Sequence, residues 1–357
     1  MKQVRQILPK IDKFQHKGRN GRLGVIGGCY EYTGAPYYSA TSLLKGGGDL
    51  AHIFCTKSAA TAIKSYSPEI IVHPFLFAEE EITTELKMRL SKEQLQNFRE
   101  QQVKETIENV HSWQAALHAF IIGPGIGRDK NITQYIPEII KGFENNQIIL
   151  LDADGLWFLS NGNTEKMEEV VKQKSKNIIL TPNQVEFERL WDSLMPQQEK
   201  KINREQKQKI IQERNYLSTQ ESPIQEISID DELVQDTVRL SKRLNNVNII
   251  LKGIVDVITD GKKAYIVTQE GSSKRCGGIG DILTGLVGLY AFWGQQSGVK
   301  GGSLEGCVLG SYIARLSSQY AYERYKFGLT APNVLEYVDI AFNEFYFEKS
   351  FKHQQKL

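Results

Sequence analysis

Short apolar runs that end in small or polar residues recur through the middle of the chain. Runs of four or five largely apolar residues bounded in this way are typical of buried β-strands. The four clearest runs are residues 119–122 before Gly123, 148–151 before Asp152, 177–180 before Thr181, and 247–251 before Lys252. Helix-length segments separate them, so the pattern predicts an α/β fold with a mostly parallel sheet covered on both faces.

The first part of the chain continues this pattern. It predicts strands at residues 22–28, 50–55 and 70–74 and a helix at residues 37–45. His52 and His73 stand within two of these apolar strands and have no neighbouring ligand at metal-binding spacing. They are therefore interpreted as packed structural histidines.

Ligands of parallel α/β sheets bind beyond the carboxyl ends of the strands. The residues that follow the strands are therefore expected on one rim of the sheet, and they include Asp152, Asp154, Asn183 and Lys252. For Asp152 and Asp154, a simple turn and a role in binding substrate or metal both remain open. Asn183 and Glu186 could bind a ligand or could simply form a turn and the first turn of a helix.

A glycine-rich stretch between a predicted hairpin and a long apolar run carries the most specific chemistry. Residues 255–259 and 264–268 flank a turn at Asp260-Gly261, which predicts the hairpin, and residues 271–281 then lead into apolar residues 282–293. Gly277, Gly278 and Gly280 let several backbone N–H groups converge on one anion at a helix start. Residues 271–281 therefore predict a phosphate cradle, with an ordinary glycine-rich turn as the alternative.

Asp281 is unexpected in a phosphate cradle because phosphates repel a carboxylate. Its predicted role is to hold or deprotonate a hydroxyl group that attacks a phosphoryl group. The helix dipole favours the anion, so Asp281 is expected to stay ionised and to be a weak base. Lys274 and Arg275 would supply positive charge next to the phosphates.

Other parts of the chain are polar and carry no such chemistry. Residues 79–111 predict exposed helix, and a helical part from residue 303 to 347 ends in a polar tail at 348–357. Residues 195–232 are rich in Gln, Lys and Glu and are interpreted as a surface insertion in a single domain spanning residues 1–357. Because this tract lacks a sustained apolar face, it is expected to be dispensable for folding.

Composition narrows the class of partner. The 357-residue chain has a formal net charge of +2, which gives no electrostatic footprint for nucleic acid or an anionic membrane. Its four cysteines are far apart, which argues against a disulfide framework or a zinc site and for a reducing compartment. No apolar run has the length of a membrane span. A cytoplasmic protein with small-molecule partners is expected, with a mitochondrial location as the alternative.

Seven segments occur in the order found in one enzyme family. They are residues 17–28, 32–37, 64–69, 123–129, 152–154, 181–187 and 275–281. Together they resemble the ATP-dependent (S)-NAD(P)H-hydrate dehydratases of the ribokinase-like superfamily, and residues 65–69 and 275–278 are similar to its eukaryotic branch. The resemblance implies a three-layer α/β/α sandwich. The chain departs from the family mainly by its length, at residues 79–111 and 195–232.

The resemblance also implies a reaction and its site. ATP would phosphorylate the hydroxyl of the hydrated nicotinamide ring of NADHX or NADPHX, phosphate would leave, and NADH or NADPH would be regenerated with release of ADP. Mg²⁺ on the nucleotide, with its protein ligands unassigned, and functional coupling to an NAD(P)H-hydrate epimerase are implied as well, and self-association is left open. The implied hydrate-binding residues are Gly125, Asn183, Gln184, Val185, Glu186, Phe187, Glu188, Arg189 and the catalytic Asp281. The implied ATP-binding residues are Lys252, Gly253, Ile254, Val255, Asp256, Gly271, Ser272, Ser273, Lys274, Arg275, Cys276, Gly277, Gly278, Ile279 and Gly280.

Other functions fit the residues less well. The main alternative is a small-molecule kinase of the same superfamily, which would act on a vitamin precursor or a sugar and leave the phosphate on its product. The intact Asp281 argues against a nucleotide-binding regulator without turnover. A nicotinamide-dependent dehydrogenase is disfavoured because the glycines at 24–28 and 123–127 miss the Gly-x-Gly-x-x-Gly spacing. Within the dehydratase hypothesis, the hydrate is expected on a rim formed by Gly125 and residues 183–186, and ATP on the hairpin side of the cradle.

Overall fold

The computed structural model describes residues 2–10, 14, 16–214, 216 and 222–348. A ten-stranded sheet lies at the centre of this described part of the chain. Its strands are β1 (Arg22–Ile26), β2 (Leu50–Thr56), β3 (Ile70–Leu76), β4 (Ala119–Ile122), β5 (Ile148–Leu151), β6 (Ile178–Leu180), β7 (Ile224–Ile227), β8 (Asn248–Leu251), β9 (Asp256–Thr259) and β10 (Ala264–Val267). The strand order is β3-β2-β1-β4-β5-β6-β8-β9-β10-β7. All pairs from β3 to β8 are parallel, whereas β9, β10 and β7 add three antiparallel pairs at one edge. The predicted, mostly parallel sheet is confirmed.

Helices lie on both faces of the sheet. They are α1 (Lys2–Arg5), α2 (Gly34–Lys45), α3 (Lys57–Tyr66), α4 (Thr84–Arg89), α5 (Lys92–His111), α6 (Lys130–Gly142), α7 (Asp154–Asn161), α8 (Thr164–Gln173), α9 (Gln184–Leu194), α10 (Arg204–Glu213), α11 (Glu232–Arg243), α12 (Ile279–Gln296), α13 (Gly302–Tyr325), α14 (Ala331–Leu335) and α15 (Val338–Phe347). Short 3₁₀ turns occur at Glu79–Glu81, Gln114–Ala116, Ser175–Asn177 and Lys326–Gly328.

Side chains alternate along the strands between two hydrophobic cores. In β4, Ala119 and Ile121 lie in the first core, whereas Phe120 and Ile122 lie in the second. Residues of α2, α12 and α13 complete the first core, and residues of α6, α9 and α11 complete the second. The α/β/α sandwich is therefore confirmed. Both cores hold the central strands firmly, so the residues at the strand ends have fixed positions.

Residues 195–232 pack on the protein more closely than their polar composition predicts. Helix α10 buries Ile210 and Ile211, and β7 forms the edge of the sheet by antiparallel pairing with β10. Ile224 of β7 lies in the first core. The tract has few apolar residues, but Ile210, Ile211 and Ile224 are all buried against the rest of the protein. This corrects the expectation that the tract lacks an apolar face. Removing it would uncover β10, so the structure argues against its predicted dispensability.

Parts of two predicted segments lie outside the described residues. These are residues 215 and 217–221 within the tract and residues 349–357 of the predicted polar tail. The single-domain assignment and the insertion boundaries stay predictions. In the described part of the chain, no helix is both long and apolar enough to cross a membrane.

Two buried histidines pack against each other between β2 and β3. His52 Nδ1 lies 3.0 Å from His73 Nε2, and the Trp113 ring is 4.4 Å from that of His73. These contacts agree with a structural role for the two histidines. Burial is the main cause that lowers the pKa of both histidines to about 4. The positive charge of Arg22 lowers the pKa of His52 further, and the charges of His52 and Lys64 lower the pKa of His73 further.

We expect these histidines to make the free energy of unfolding fall in acid. Their folded pKa of about 4 is below the unfolded value of about 6.5, so the unfolded chain binds more protons between these pH values. The stability they provide is complete above pH 6.5 and is lost as the pH falls toward 4, by up to about 1 kcal/mol per pH unit for each histidine. Denaturant unfolding at several pH values measures this slope. His73→Gln should reduce it, and His16→Gln, at an exposed position, should not.

Candidate active site

The carboxyl ends of β5, β6 and β8 meet beside the start of α12. Asp152 directly follows β5, and Lys252 directly follows β8. Asn183 forms a parallel bridge with Lys252, whose backbone N–H donates to the Pro182 carbonyl at 2.8 Å. The structure thus brings together the residues that the strand-end rule predicts at one rim.

Lys252 lies within a cluster of carboxylates at this rim. Its Nζ is 2.7 Å from Asp152 Oδ1 and 3.9 Å from Glu186 Oε2. A Cβ atom added to Gly280 would lie 3.7 Å from the same Nζ, so the ammonium group also reaches the first turn of α12. Thr181 Oγ1 donates to Asp152 Oδ1 at 2.8 Å and holds that carboxylate in place. One cation is therefore shared by carboxylates from different elements.

The cluster changes the protonation of Asp281. Burial raises the pKa of Asp281 to about 7; Asp152 and Glu186 add to the rise, and Lys252 opposes it. The expectation that the helix start keeps Asp281 fully ionised is corrected, because desolvation and neighbouring negative charge outweigh the dipole. A carboxylate with this pKa is a far better proton acceptor at neutral pH than an ordinary aspartate.

The pKa values of Glu186 and Lys252 in the cluster are shifted as well. Burial raises the pKa of Glu186; the charge of Lys252 opposes that rise, and Asp152 supports it. Burial disfavours the charged form of Lys252, but Asp152, Glu186 and Asp281 together raise its pKa. The lysine therefore stays charged and is the counter-ion of the site.

The glycines of the cradle have the geometry that an anion site needs. Gly278 is the N-cap of α12 with φ of 96°, and a Cβ there would lie only 2.6 Å from Ala331 Cβ and 2.8 Å from the Tyr38 ring. Gly277 has nothing within 4 Å of its virtual Cβ, so a ligand can approach its backbone. Ser39 Oγ donates to the Asp281 carbonyl at 2.9 Å and anchors the first turn. This arrangement favours the cradle over an ordinary turn.

The two basic residues of the cradle have different environments. Lys274 Nζ donates to the carbonyls of Phe327 and Leu329 and so ties the loop to the segment before α14. Arg275 is exposed and, within the described part of the chain, forms no ion pair. Arg275 is therefore the cation that remains available to phosphates.

An arginine that sequence reasoning missed holds the loop after β8. Arg315 of α13 donates to Asp256 Oδ1 at 2.9 Å and to the carbonyls of Gly253 and Ile254. Asp256 Oδ2 also accepts from Ser311 Oγ at 2.7 Å. Asp256 is thereby committed to fixing the loop, which indicates a positioning role. The available signal in the sequence is a lone arginine within the largely apolar run at 313–316.

A cleft of about 970 Å³ opens next to this cluster. Most of the predicted ATP-binding residues line it, together with Asn183, Gln184, Val185, Glu186 and Arg189. Phe187 is instead fully buried, with its ring 6.0 Å from that of Trp191, and Glu188 accepts from Gln184 Nε2 outside the lining. Asn183 and Gly253 thus line the same cleft, and the expected separation of hydrate and ATP within it stays a prediction.

Gly125 lies away from the cleft lining. Its φ is +61°, and an added Cβ would lie 2.8 Å from the Tyr32 carbonyl oxygen and 3.3 Å from Ala35 Cβ. It therefore packs against the chain leading into α2. The expected rim of Gly125 and residues 183–186 stays a prediction. Asp281, Gly277 and Gly278 are also outside the lining, in the turn beside it.

A smaller cavity of about 110 Å³ borders the cleft at Glu186 and Arg189. Asp154 lines it and pairs with Arg128 at 2.9 Å, and the Arg128 guanidinium lies 5.0 Å from the centre of the Trp157 ring. Asp152 and Asp154 therefore have separate cationic partners.

Asn183 and Glu186 form a reciprocal capping box at the start of α9, as one of the two open interpretations of these residues predicts. Glu186 also lines the cleft.

The described architecture is a ribokinase-like fold. A ribokinase-like superfamily protein of Enterococcus faecalis has a TM-score of 0.65 at 16% identity, with 96% of this chain and 94% of that chain covered. The Bacillus subtilis ADP/ATP-dependent NAD(P)H-hydrate dehydratase, co-crystallised with ATP and Mg²⁺, has a TM-score of 0.61 at 16% identity and covers 96% of each chain. At these identities the likeness establishes the fold.

Sequence comparison establishes the family. The family model described as NAD(P)H-hydrate dehydratase matches residues 23–339. The mouse protein named ATP-dependent (S)-NAD(P)H-hydrate dehydratase is 32% identical over 349 residues, which cover 96% of this chain and 84% of the mouse protein. The chain belongs to the NAD(P)H-hydrate dehydratase family, and the predicted resemblance is confirmed.

Proposed function

We propose that this protein uses ATP to dehydrate the S epimer of hydrated NADH or NADPH, and that it releases ADP and phosphate. The observation that carries the proposal is Asp281, a carboxyl group with a pKa of about 7 between a charged lysine and an open glycine cradle. Family membership and the ATP-dependent mouse relative support the same reaction.

Asp281 would act on the hydroxyl of the hydrated ring. Its carboxylate accepts the hydroxyl proton while the oxygen forms a bond to the γ-phosphorus of ATP and the bond to ADP breaks. The carbon–oxygen bond of the phosphorylated ring then breaks, phosphate leaves, and the neighbouring ring carbon loses a proton to restore the double bond. Lys252 and Arg275 would offset the negative charge, and the N–H groups of the cradle would orient the phosphates.

The side chains of the cleft fit a nucleotide-borne Mg²⁺. Mg²⁺ usually takes one or two protein carboxylates and several phosphate or water oxygens. Glu186 lines the cleft, whereas Asp152 is held by Lys252 and Thr181, so Glu186 is the residue that would hold the ion beside the phosphates. When bound, Mg²⁺ would neutralise charge on the transferring phosphoryl group.

The proposal extends to the setting of the enzyme. We place it in the cytoplasm. We also infer functional coupling to an epimerase, because hydration of the ring produces two epimers and the proposed activity uses only one of them. Self-association of the chain is a further part of the proposal, and a gel-filtration measurement would test it.

A single assay tests the proposed reaction. Purified protein is mixed with hydrated NADH and ATP, and near-ultraviolet absorbance and free phosphate are followed together. We expect both to increase in equal molar amounts, and only when ATP is present. Formation of ADP without free phosphate would instead indicate a kinase that leaves phosphate on its product, and no change with either hydrate would refute the proposal.

A further inference from the structure

Helix α10 presents one face to the end of the cleft. Arg204, Lys207, Gln208 and Ile211 line the cleft there, and we call these four residues the α10 wall. Their spacing of three, four and seven residues places them on one side of a helix. The wall belongs to the tract in which the chain departs in length from the family pattern.

Two arginines that line the cleft have no direct partner among the described residues. Within the described part of the chain, Arg204 and the neighbouring Arg189 form neither a hydrogen bond nor an ion pair with another residue. Other arginines near the cleft are paired, as Arg239 is with Asp236 and Arg315 with Asp256. The α10 wall contributes no carboxylate to the lining. This end of the cleft is therefore suited to an anion.

Lys207 adds a buried positive charge to the α10 wall. The residue is 7% exposed, and its Nζ has no hydrogen-bond partner. The nearest carboxylate oxygen, Asp236 Oδ2, is 3.8 Å away and already accepts from the Ile202 N–H at 2.8 Å. Burial lowers the pKa of Lys207, with Asp236 and Glu188 opposing this effect. Asp236 is buried and forms a long ion pair with Lys207, whose Nζ also lies 5.0 Å from the centre of the Phe187 ring. The ammonium group therefore keeps its hydrogen-bonding capacity for a further anion.

The cleft is large. Its volume of about 970 Å³ lies at the upper end of the range of about 300–1,000 Å³ for ligand pockets, and its lining includes both the α10 wall and residues of the phosphate cradle. Ile211, Leu233 and Leu251 form an apolar surface beside the cations, as a nucleoside would need. An adenosine carrying a phosphate thus matches the chemistry at this end of the cleft.

We propose that Arg204 and Lys207, next to Arg189, bind the 2′-phosphate that distinguishes NADPHX from NADHX. The inference rests on the proposed function and adds a substrate preference to it. Sites for a free ribose 2′-hydroxyl commonly use an acidic residue, whereas sites for a 2′-phosphate use a basic one. The α10 wall has two cations and no acid, so it favours the phosphorylated dinucleotide.

The kinetic test compares both hydrates in matched variants. Each charge-assisted hydrogen bond to a phosphate is worth about tenfold in affinity or more. Arg204→Gln and Lys207→Met should each lower the ratio of kcat/KM for NADPHX to that for NADHX by about tenfold. Lys209→Met is the control, because this lysine is on the same helix, is 75% exposed and pairs with Glu213. It should leave the ratio unchanged.

Three kinetic outcomes would overturn the inference. They are an unchanged ratio in Arg204→Gln, an equal loss for both hydrates, and a change in the KM for ATP alone. Arg204 is exposed, so its variant is expected to fold and the test does not depend on Lys207. If the wild-type protein turns over both hydrates and the variants leave the ratio of kcat/KM for NADPHX to that for NADHX unchanged, only this subsite is refuted and the proposed function stands.

A binding measurement decides the point without turnover. With the ATP site filled by a non-hydrolysable ATP analogue, calorimetry compares 2′,5′-ADP with 5′-AMP. Wild-type protein should bind 2′,5′-ADP at least about tenfold more tightly, and Arg204→Gln should remove most of this difference. Equal affinity of the two nucleotides for the wild type would overturn the inference. If neither hydrate is turned over, the proposed function fails, and this measurement still tests the subsite.

Discussion

Replacement of Asp281 by Asn is expected to leave the fold intact and to reduce kcat by about 10²–10⁴-fold, the typical contribution of a general base. The amide retains the size and polarity of the side chain, and Ser39 contacts only the backbone carbonyl of this residue. The variant cannot accept the hydroxyl proton. Steady-state rates with saturating ATP and hydrate measure the loss, and Asp192→Asn at an exposed position is the control.

The pH profile adds a second measurement to the Asp281 prediction. Because the pKa of Asp281 is raised to about 7, the basic form is a minority below pH 7 and predominates above it. The kcat/KM of the wild-type protein should therefore rise with pH through about 7 and level off. Asp281→Asn should lose this inflection. Near-normal turnover in the variant, or an unchanged inflection, would exclude Asp281 as the base.

Replacement of Lys252 by Met is expected to impair both stability and activity. The change leaves Asp152, Glu186 and Asp281 without their shared cation, and losing one member of a buried ion pair costs about 3–5 kcal/mol. We expect a decrease in Tm of about 4–7 °C and a loss of about 100-fold or more in kcat at pH 7. Calorimetry and steady-state kinetics provide the two measurements.

The electrostatic explanation makes the Lys252 prediction specific. Lys252 holds down the pKa of Asp281, so in Lys252→Met the rise of activity should move to a pH above 7. Adding Asp152→Asn to this variant should recover much of the lost Tm, because it removes the unpaired carboxylate, without restoring normal kcat. Lys262→Met, at an exposed turn, should change neither property. An unshifted pH profile in Lys252→Met would contradict the proposed coupling.

Some features of the site follow from local sequence. The four apolar runs became β4, β5, β6 and β8, because continuous apolar residues between turn residues are stable only as strands buried on both faces. The parallel order then requires Asp152, Asn183 and Lys252 to share one rim. The cradle was predictable from local sequence as well, since glycines before a long apolar helix tolerate the positive φ and the close approach of a ligand that an anion site at a helix start requires.

Other features depend on contacts between distant parts of the chain. Helix periodicity alone does not show that Phe187 is fully buried while Glu186, its neighbour, faces the cleft. The polar tract at 195–232 gave a wrong expectation because a few apolar residues suffice to hold α10 and β7 once a core and a strand edge are available. Arg315 was missed because its partners are 46–62 residues away in sequence.

The sequence by itself determined the parallel strands whose ends form the rim and the glycines at a helix start, and it predicted Asp281 as the reacting carboxylate, because each depends on short-range pattern and chain direction. Only the tertiary structure decided the chemical state of that carboxylate. The pKa of Asp281 is set by burial and by the charges of Asp152, Lys252 and Glu186, which come from three other elements. Coulomb energy depends on distance and dielectric, and both exist only after the chain has packed.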